Sequence, residues 1–246
     1  MKNRRFAWRG VLIAIVLAFS HLSSVKAQEN SDATAYQQGV ALFAKEKYKE
    51  AVEAFKQAAK LNPTNADAYY QLGTSYRMIE RFPEAIESYK RALLLKPRWA
   101  DALHGLGVTY GMSGSPKDAV TYLKQSIGLK SDYWKAHYDL GVAYADLGEA
   151  AEAIESFKEA VRLNPKDADS FFNLGMSYQQ LNKLKEAEDA YAHALLLDPN
   201  DAQATYQIAL VYLAVGNRGF ATIHYLSLQK LNPELAKKLH DQMFTK

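Results

Sequence analysis

The sequence predicts an all-α solenoid of six helical hairpins followed by a short capping helix. Self-similarity at a fixed period of 20 to 50 residues is typical of repeat architectures. Proline recurs in this chain at gaps of 34, 68, 34 and 34 residues, at Pro63, Pro97, Pro165, Pro199 and Pro233. Ser131 occupies the skipped position. Alanine recurs at the 34-residue spacing without a gap, at Ala51, Ala85, Ala119, Ala153, Ala187 and Ala221.

The period divides the chain into six repeats, 32–65, 66–99, 100–133, 134–167, 168–201 and 202–235. Positions are counted from 1 to 34 within each repeat. Apolar or small residues at positions 4, 7, 8 and 11 follow one face of a helix, and those at positions 20, 24 and 27 follow a second. Position 8 is small, as Gly39, Gly73, Gly107, Gly141, Gly175 and Ala209, and position 24 is large, as Phe55, Tyr89, Leu123, Phe157, Tyr191 and Tyr225. We therefore expect the two helices of each repeat to approach closely at position 8, with the large side chain filling the space around it.

Turn and cap residues mark the predicted ends of these helices. In the third repeat, Ser115 is suited to cap the second helix and Pro116 to occupy its first position. The proline at position 32 is expected to end the second helix, because proline lacks the amide donor.

The pattern Leu72-Gly73, Tyr76, Ala85 and Pro97 resembles the tetratricopeptide repeat family. The resemblance covers about 204 of the 246 residues. It implies a right-handed superhelical solenoid of helix-turn-helix hairpins, with a concave groove lined by the first helix of each repeat.

Residues 1–27 are predicted to be a secretory signal peptide. Basic residues of the leader precede an apolar run at 11–19, and Val25 and Ala27 place small residues before a cut between Ala27 and Gln28. The chain is then exported, to the periplasm or outside the cell. The alternative is an uncleaved membrane anchor, although the run is shorter than the ~20 apolar residues of a spanning helix.

Removal of this leader changes the charge. It carries five basic residues and no acid, so 25 basic and 27 acidic residues remain and the net charge falls from +3 to −2. A nucleic-acid partner is not expected from this balance. The chain has no cysteine, which excludes a disulfide and a lipid-modified cysteine, and we expect no stable membrane insertion after cleavage.

The stretch 234–244 is predicted to be a capping helix. Leu235, Leu239 and Met243 lie at four-residue intervals, and terminal repeats need a polar outer face. The alternative is a helix that docks a partner or a second copy. With no linker between the repeats, we expect one domain.

The sequence offers no recognisable catalytic, cofactor or metal motif. No two of the six histidines are four residues apart, and His137 lies at a core position. The glycines between Gly105 and Gly111 fall inside a predicted helix with no strand before it, which argues against a dinucleotide loop. We expect no enzymatic activity, no cofactor and no metal.

The candidate site is a second stripe on the first helix of each repeat. Position 5 is aromatic or histidine in all six repeats, with amides or a carboxylate at most of the adjacent position 6. An exposed aromatic stripe on a soluble chain is typical of a binding surface, and in the resembled family it lines the groove. The predicted groove residues are Tyr36, Tyr70, Gln71, Arg77, His104, Tyr138, Asp139, Phe172, Asn173, Tyr206 and Gln207.

This stripe predicts a scaffold that binds another protein, through an extended or helical segment, in a bacterial envelope complex. Rings supply contact area, and the amides of Gln71, Asn173 and Gln207 can pair with a peptide backbone. Acids outnumber bases along the stripe, which favours an apolar and basic segment. Two alternatives remain at this stage: the rings only pack between repeats, or they bind a glycan in envelope polysaccharide or peptidoglycan handling.

The third repeat holds five of the 13 glycines. Glycine within a helix costs about 0.5–1 kcal/mol relative to alanine. We expect this repeat to flex, and Gly105 and Gly111 to let a ligand approach the backbone.

Overall fold

The computed structural model describes residues 31–244, so the predicted leader and its cut site lie outside the described residues. All regular structure in this range is helical. The first helix, α1, covers 31–43. The others are α2 (Tyr48–Leu61), α3 (Ala66–Met78), α4 (Phe82–Leu95), α5 (Ala100–Met112), α6 (Pro116–Leu129), α7 (Trp134–Asp146), α8 (Ala150–Leu163), α9 (Ala168–Gln180), α10 (Leu184–Leu197), α11 (Ala202–Ala214), α12 (Arg218–Leu231) and α13 (Pro233–Phe244).

The predicted all-α class, with helical hairpins and a C-terminal capping helix, is confirmed. From α3 to α12 the helices occupy positions 1–13 and 17–30 of each repeat. Within each unit, neighbouring helices pack in pairs, as α3 does on α4 and α7 on α8. No helix among residues 31–244 is long and apolar enough to cross a membrane.

The chain divides into two compact units. The first ends at Thr109 and the second begins at Tyr110, within the glycine-rich α5.

The turn inside every hairpin is a Schellman motif, in which the backbone N–H groups after a helix satisfy its last carbonyl oxygens. The N–H of position 16 donates to the oxygen of position 11, as from Arg81 to Tyr76 at 2.9 Å. Position 15 has a positive φ in all six repeats, at Glu46, Glu80, Gly114, Gly148, Asn182 and Gly216. Ser115 precedes α6 but its side chain makes no capping hydrogen bond, so its predicted capping role is wrong; Pro116 does begin the helix.

The second helix of each repeat ends at position 30. The N–H of position 31 then donates to the oxygen of position 27, as from Lys96 to Ala92 at 2.8 Å. In the third repeat, Lys130 makes the same bond to Ser126 at 3.0 Å, although Ser131 replaces the proline. Proline is therefore compatible with this ending but not required for it.

In the first, second, fourth and fifth hairpins, the glycine at position 8 packs against the ring at position 24. A β-carbon on Gly73 would lie 3.0 Å from the ring of Tyr89, and one on Gly175 would lie 2.7 Å from that of Tyr191. The alanines at position 20 are almost completely buried beside these rings. The close approach expected at position 8 is thus present.

Gly105 differs from its predicted role. It is buried, and a β-carbon there would lie 2.8 Å from the ring of Tyr89 in the preceding repeat. The missing side chain makes room for this ring, so the backbone of Gly105 is not open to a ligand.

The capping helix α13 packs on the last hairpin. Leu235, Leu239 and Met243 are buried in one cluster with Ala209 and Leu228. Because these side chains lie four residues apart, they share one face of α13, and that face covers the apolar end of the second unit.

Candidate functional site

In the first unit, the position-5 side chains lie half-buried on the first helix of each hairpin. The ring of Tyr36 packs on Phe55, with ring centroids 5.7 Å apart, and that of Tyr70 packs on Tyr89 at 5.8 Å. His104 is half-buried at the same position. The core ring at position 24 therefore supports the base of Tyr36 and Tyr70. We call the position-5 side chains of each unit its aromatic stripe.

Trp99 extends the aromatic stripe of the first unit. Its ring lies 4.6 Å from that of Tyr70, and the Lys96 ammonium lies 4.8 Å from its centre. Lys96 also pairs with Asp67 at 2.8 Å. The sequence analysis missed Trp99. Position 34 of the first repeat is Asn65, which caps the next helix by accepting from the Ala68 N–H at 3.0 Å. An aromatic residue at this capping position was the signal that could have identified Trp99.

Charge around Tyr70 is mixed. Burial raises the pKa of the Tyr70 phenol, Tyr89 and Asp101 raise it further, and the Arg77 guanidinium opposes them. The Nε of Arg77 is buried without a hydrogen-bond partner, which leaves a desolvated donor beside the stripe. Gln71 is half-buried one residue after Tyr70.

The aromatic stripe of the second unit has the same support. Tyr138 packs on Phe157, and Phe172 packs on Tyr191, each with centroids 5.8 Å apart. Met176, one turn after Phe172, is 40% exposed and adds an apolar contact.

Three carboxylates surround Tyr138. Burial, followed by the charges of Asp169, Asp139 and Asp167, raises the pKa of the Tyr138 phenol to about 12. Each of these charges disfavours a phenolate because like charges repel. Three carboxylates thus act on the Tyr138 hydroxyl.

The amide of Asn173, which was predicted to donate to and accept from a peptide backbone, already donates within the protein. Its Nδ2 donates to the Tyr138 hydroxyl at 3.3 Å and to the Asp169 backbone oxygen at 2.9 Å. Both amide hydrogens are therefore used inside the protein, which leaves the Asn173 Oδ1 as an acceptor for a bound partner segment. Asn173 thus joins two adjacent hairpins and orients the Tyr138 ring.

The C-terminal helix also reaches the stripe. Gln242 of α13 donates from Nε2 to the Tyr206 hydroxyl at 3.2 Å. Gln207 is half-buried beside Tyr206. The sequence analysis missed Gln242, because no periodic signal marks a contact made across 36 residues.

No group of three or more histidine, aspartate or glutamate side chains within residues 31–244 is placed to hold a metal ion. His137, which was predicted to lie at a core position, is only half-buried. Its Nε2 lies 3.0 Å from the Ser131 backbone oxygen.

The paired helices and their aromatic stripes define a helical-repeat protein. A family model described as TPR repeat matches residues 39–79 and 143–182, and one described as tetratricopeptide repeat matches 66–98 and 168–201. The chain contains tetratricopeptide repeats.

Solved structures agree with this assignment. YrrB, described as a TPR protein with an unusual peptide-binding site, is 26% identical with a TM-score of 0.67, over 78% of this chain and 100% of that one. MamA is 28% identical with a TM-score of 0.62, over 67% and 96%. PilF of Pseudomonas aeruginosa has a TM-score of 0.75 over 88% and 99%, and its 18% identity supports the fold alone. A search of the curated proteins gives no significant match.

Proposed function

We propose that this protein is a non-enzymatic scaffold that binds an extended segment of another protein along its aromatic stripes. The observation that carries the proposal is that a half-buried ring at position 5 rests on a buried core ring in both units. Tyr70 packs on Tyr89 in this way, and Tyr138 packs on Phe157. A ring held in this way offers contact area and loses little entropy on binding. The description of YrrB as peptide-binding supports the same class of function.

The partner segment is apolar and basic. The carboxylates around Tyr138 attract a lysine or arginine side chain, and Met176 beside them suits an aliphatic one.

The place of action that we propose is the bacterial envelope, reached after cleavage between Ala27 and Gln28. The support is the basic and apolar pattern of residues 1–27. N-terminal sequencing of the protein from the periplasmic fraction tests this point, with Gln28 expected as the first residue. A chain that retains Met1 and stays with the membrane fraction would contradict it.

The binding test compares two double variants in capture from an envelope extract. Tyr70→Ala with Tyr138→Ala removes one stripe ring from each unit. Tyr48→Ala with Tyr122→Ala is the matched control. Each ring is half-buried and contacts one other ring, Tyr48 meeting Phe43 edge-on at 5.1 Å and Tyr122 stacking on Tyr110 at 5.4 Å, but each lies on the second helix of a hairpin.

Partner capture is expected to fall about tenfold or more in the stripe variant, the loss that truncating a hot-spot ring produces. The control is expected to keep it. Equal capture by both variants would reject the stripe as the binding surface. A melting temperature raised by an oligosaccharide, and no longer raised in the stripe variant, would instead favour the glycan-binding alternative.

A further inference from the structure

The outer face of α12 differs from that of every earlier second helix. In the first five repeats, positions 19 and 22 are mostly acidic and position 25 is mostly basic. The residues at these three positions are, repeat by repeat, Glu50, Glu53, Lys56; Glu84, Glu87, Lys90; Asp118, Thr121, Lys124; Glu152, Glu155, Lys158; and Glu186, Asp189, Ala192. In the sixth repeat they are Phe220, Ile223 and Leu226. These three side chains are 50%, 57% and 54% exposed. We call them the α12 ridge.

Stacking of repeats does not explain the α12 ridge. In the fourth and fifth repeats, positions 19, 22 and 25 are exposed although another hairpin follows each of them. The capping helix α13 covers a different face of α12, where Ala221 and Leu228 are buried. A further repeat or a longer cap would therefore leave the ridge uncovered.

The ridge is anchored at its first side chain. The ring of Tyr212 stacks on Phe220, with centroids 5.1 Å apart and planes at 23°, and also on His224 at 5.6 Å. The contact with Tyr212 therefore supports the exposed ring of Phe220.

Charge on this part of the second unit is mainly positive. α12 carries Arg218 near its start and Lys230 near its end, both exposed, and no acid. α13 adds Lys237 and Lys238 against two acids, Glu234 and Asp241. By contrast, α10 carries one lysine and three acids. An anionic partner is attracted to α12 and not to the equivalent face of α10.

We propose that the α12 ridge binds the surface of a membrane that contains anionic lipids. Phe220, Ile223 and Leu226 enter the boundary between headgroups and acyl chains. Lys230 lies on the same face, one turn after Leu226, and meets the lipid phosphates. Apolar side chains flanked by cations are typical of helices that lie in this interface.

A second copy of the chain fits the ridge less well. Three half-exposed side chains supply much less than the ~800 Å² per partner of a stable interface. Two antiparallel ridges would also bring Arg218 near Lys230. A protein partner needs a complementary shape, whereas a lipid surface adapts to side chains that project from one helix.

The test is co-sedimentation of the purified protein, with removal of its leader checked by mass, with vesicles of phosphatidylcholine alone or with about 30% phosphatidylglycerol. The variant Phe220→Glu/Ile223→Glu/Leu226→Lys installs the residues found at the same positions of the fourth repeat, so its helix content is expected to match the wild type. The wild type is expected to bind the anionic vesicles about tenfold more tightly than this variant, and less tightly as salt rises.

A second variant, Arg218→Gln/Lys230→Gln, leaves the apolar side chains in place and is expected to lose most of the preference for anionic over neutral vesicles. The Tyr70→Ala/Tyr138→Ala variant is expected to bind vesicles as the wild type does, which separates this proposal from the proposed function. Three outcomes would overturn the proposal: no vesicle binding by the wild type, equal binding by the ridge variant, or a dimer in sedimentation velocity that the ridge variant dissociates.

Discussion

The glycine at position 8 and the ring at position 24 form one packing unit in the first, second, fourth and fifth hairpins. At Gly141, a β-carbon would lie 2.6 Å from the Phe157 ring, and the ring itself is completely buried. Real β-carbons essentially never approach so closely, so the pair tolerates only glycine at position 8 without a shift of the helices. The glycine here serves packing and not backbone freedom.

Gly175→Ala is expected to destabilise the second unit by about 1–3 kcal/mol, because overpacking forces the Tyr191 ring to move. Gly128→Ala is the matched control. It lies inside α6 with nothing within 4 Å of its β-carbon. Alanine there is expected to stabilise the protein by about 0.5–1 kcal/mol. Urea denaturation measures both, and a loss of stability at both positions would contradict the packing argument.

His224 makes the stability of the second unit depend on pH. Burial lowers the pKa of its imidazole below the usual value of about 6.5. The folded state therefore favours the neutral ring, and the stabilisation is complete above about pH 6.5 and is lost as the pH falls through the lower folded pKa. His224→Gln is expected to lose less stability than the wild type between pH 7.5 and pH 5. Parallel denaturation curves at the two pH values measure the difference, and identical losses would refute it.

At the scale of the helical hairpin, the turn is the same whatever residue occupies it. Position 15 has a φ of 59° at Glu80 and 76° at Gly148. A residue with a β-carbon is disfavoured at such a φ, whereas glycine adopts it at no steric cost. The packing of the two helices therefore determines the turn, and the local residue only changes its stability.

Glu80→Gly is expected to stabilise the first unit by about 0.5–1 kcal/mol, because the steric cost of the left-handed conformation disappears. Gly148→Ala, at the same position of the fourth repeat, is expected to destabilise the second unit by about 1 kcal/mol. Denaturant midpoints give both values. A destabilised Glu80→Gly protein would show that the Glu80 side chain contributes more than its conformation costs.

At the scale of the whole molecule, the 34-residue register runs through both compact units, but the hairpins are not equally well packed. In the second unit, α6 buries Ala119, Leu123 and Ser126, whereas α8 buries six residues that include Phe157. In a repeat protein, local stability is the sum of a repeat's own stability and its contacts with neighbours. On this basis we expect α6 to open more readily than α8.

Hydrogen exchange tests this ranking. Amides of α6 are expected to exchange faster than those of α8, because fewer buried side chains oppose local opening. Comparison of the two helices within one unit keeps global unfolding the same for both. Equal protection of α6 and α8 would contradict the predicted flexibility of the third repeat.

The sequence by itself determined the repeat register, the hairpins and the capping helix. Periodic small and large residues along one chain specify which faces are buried, and this signal accumulates over six repeats. The position-5 stripe was also predictable as a set, although its role in binding stays a prediction.

Only the tertiary structure decided how these residues are used. It placed Tyr89 against Gly105, gave the Asn173 amide to Tyr138, and brought Gln242 to Tyr206. It also ended α6 at Leu129 without a proline. The physical reason is that hydrogen bonds and ring contacts depend on distances of a few ångströms between different hairpins. A period read along the chain does not contain those distances.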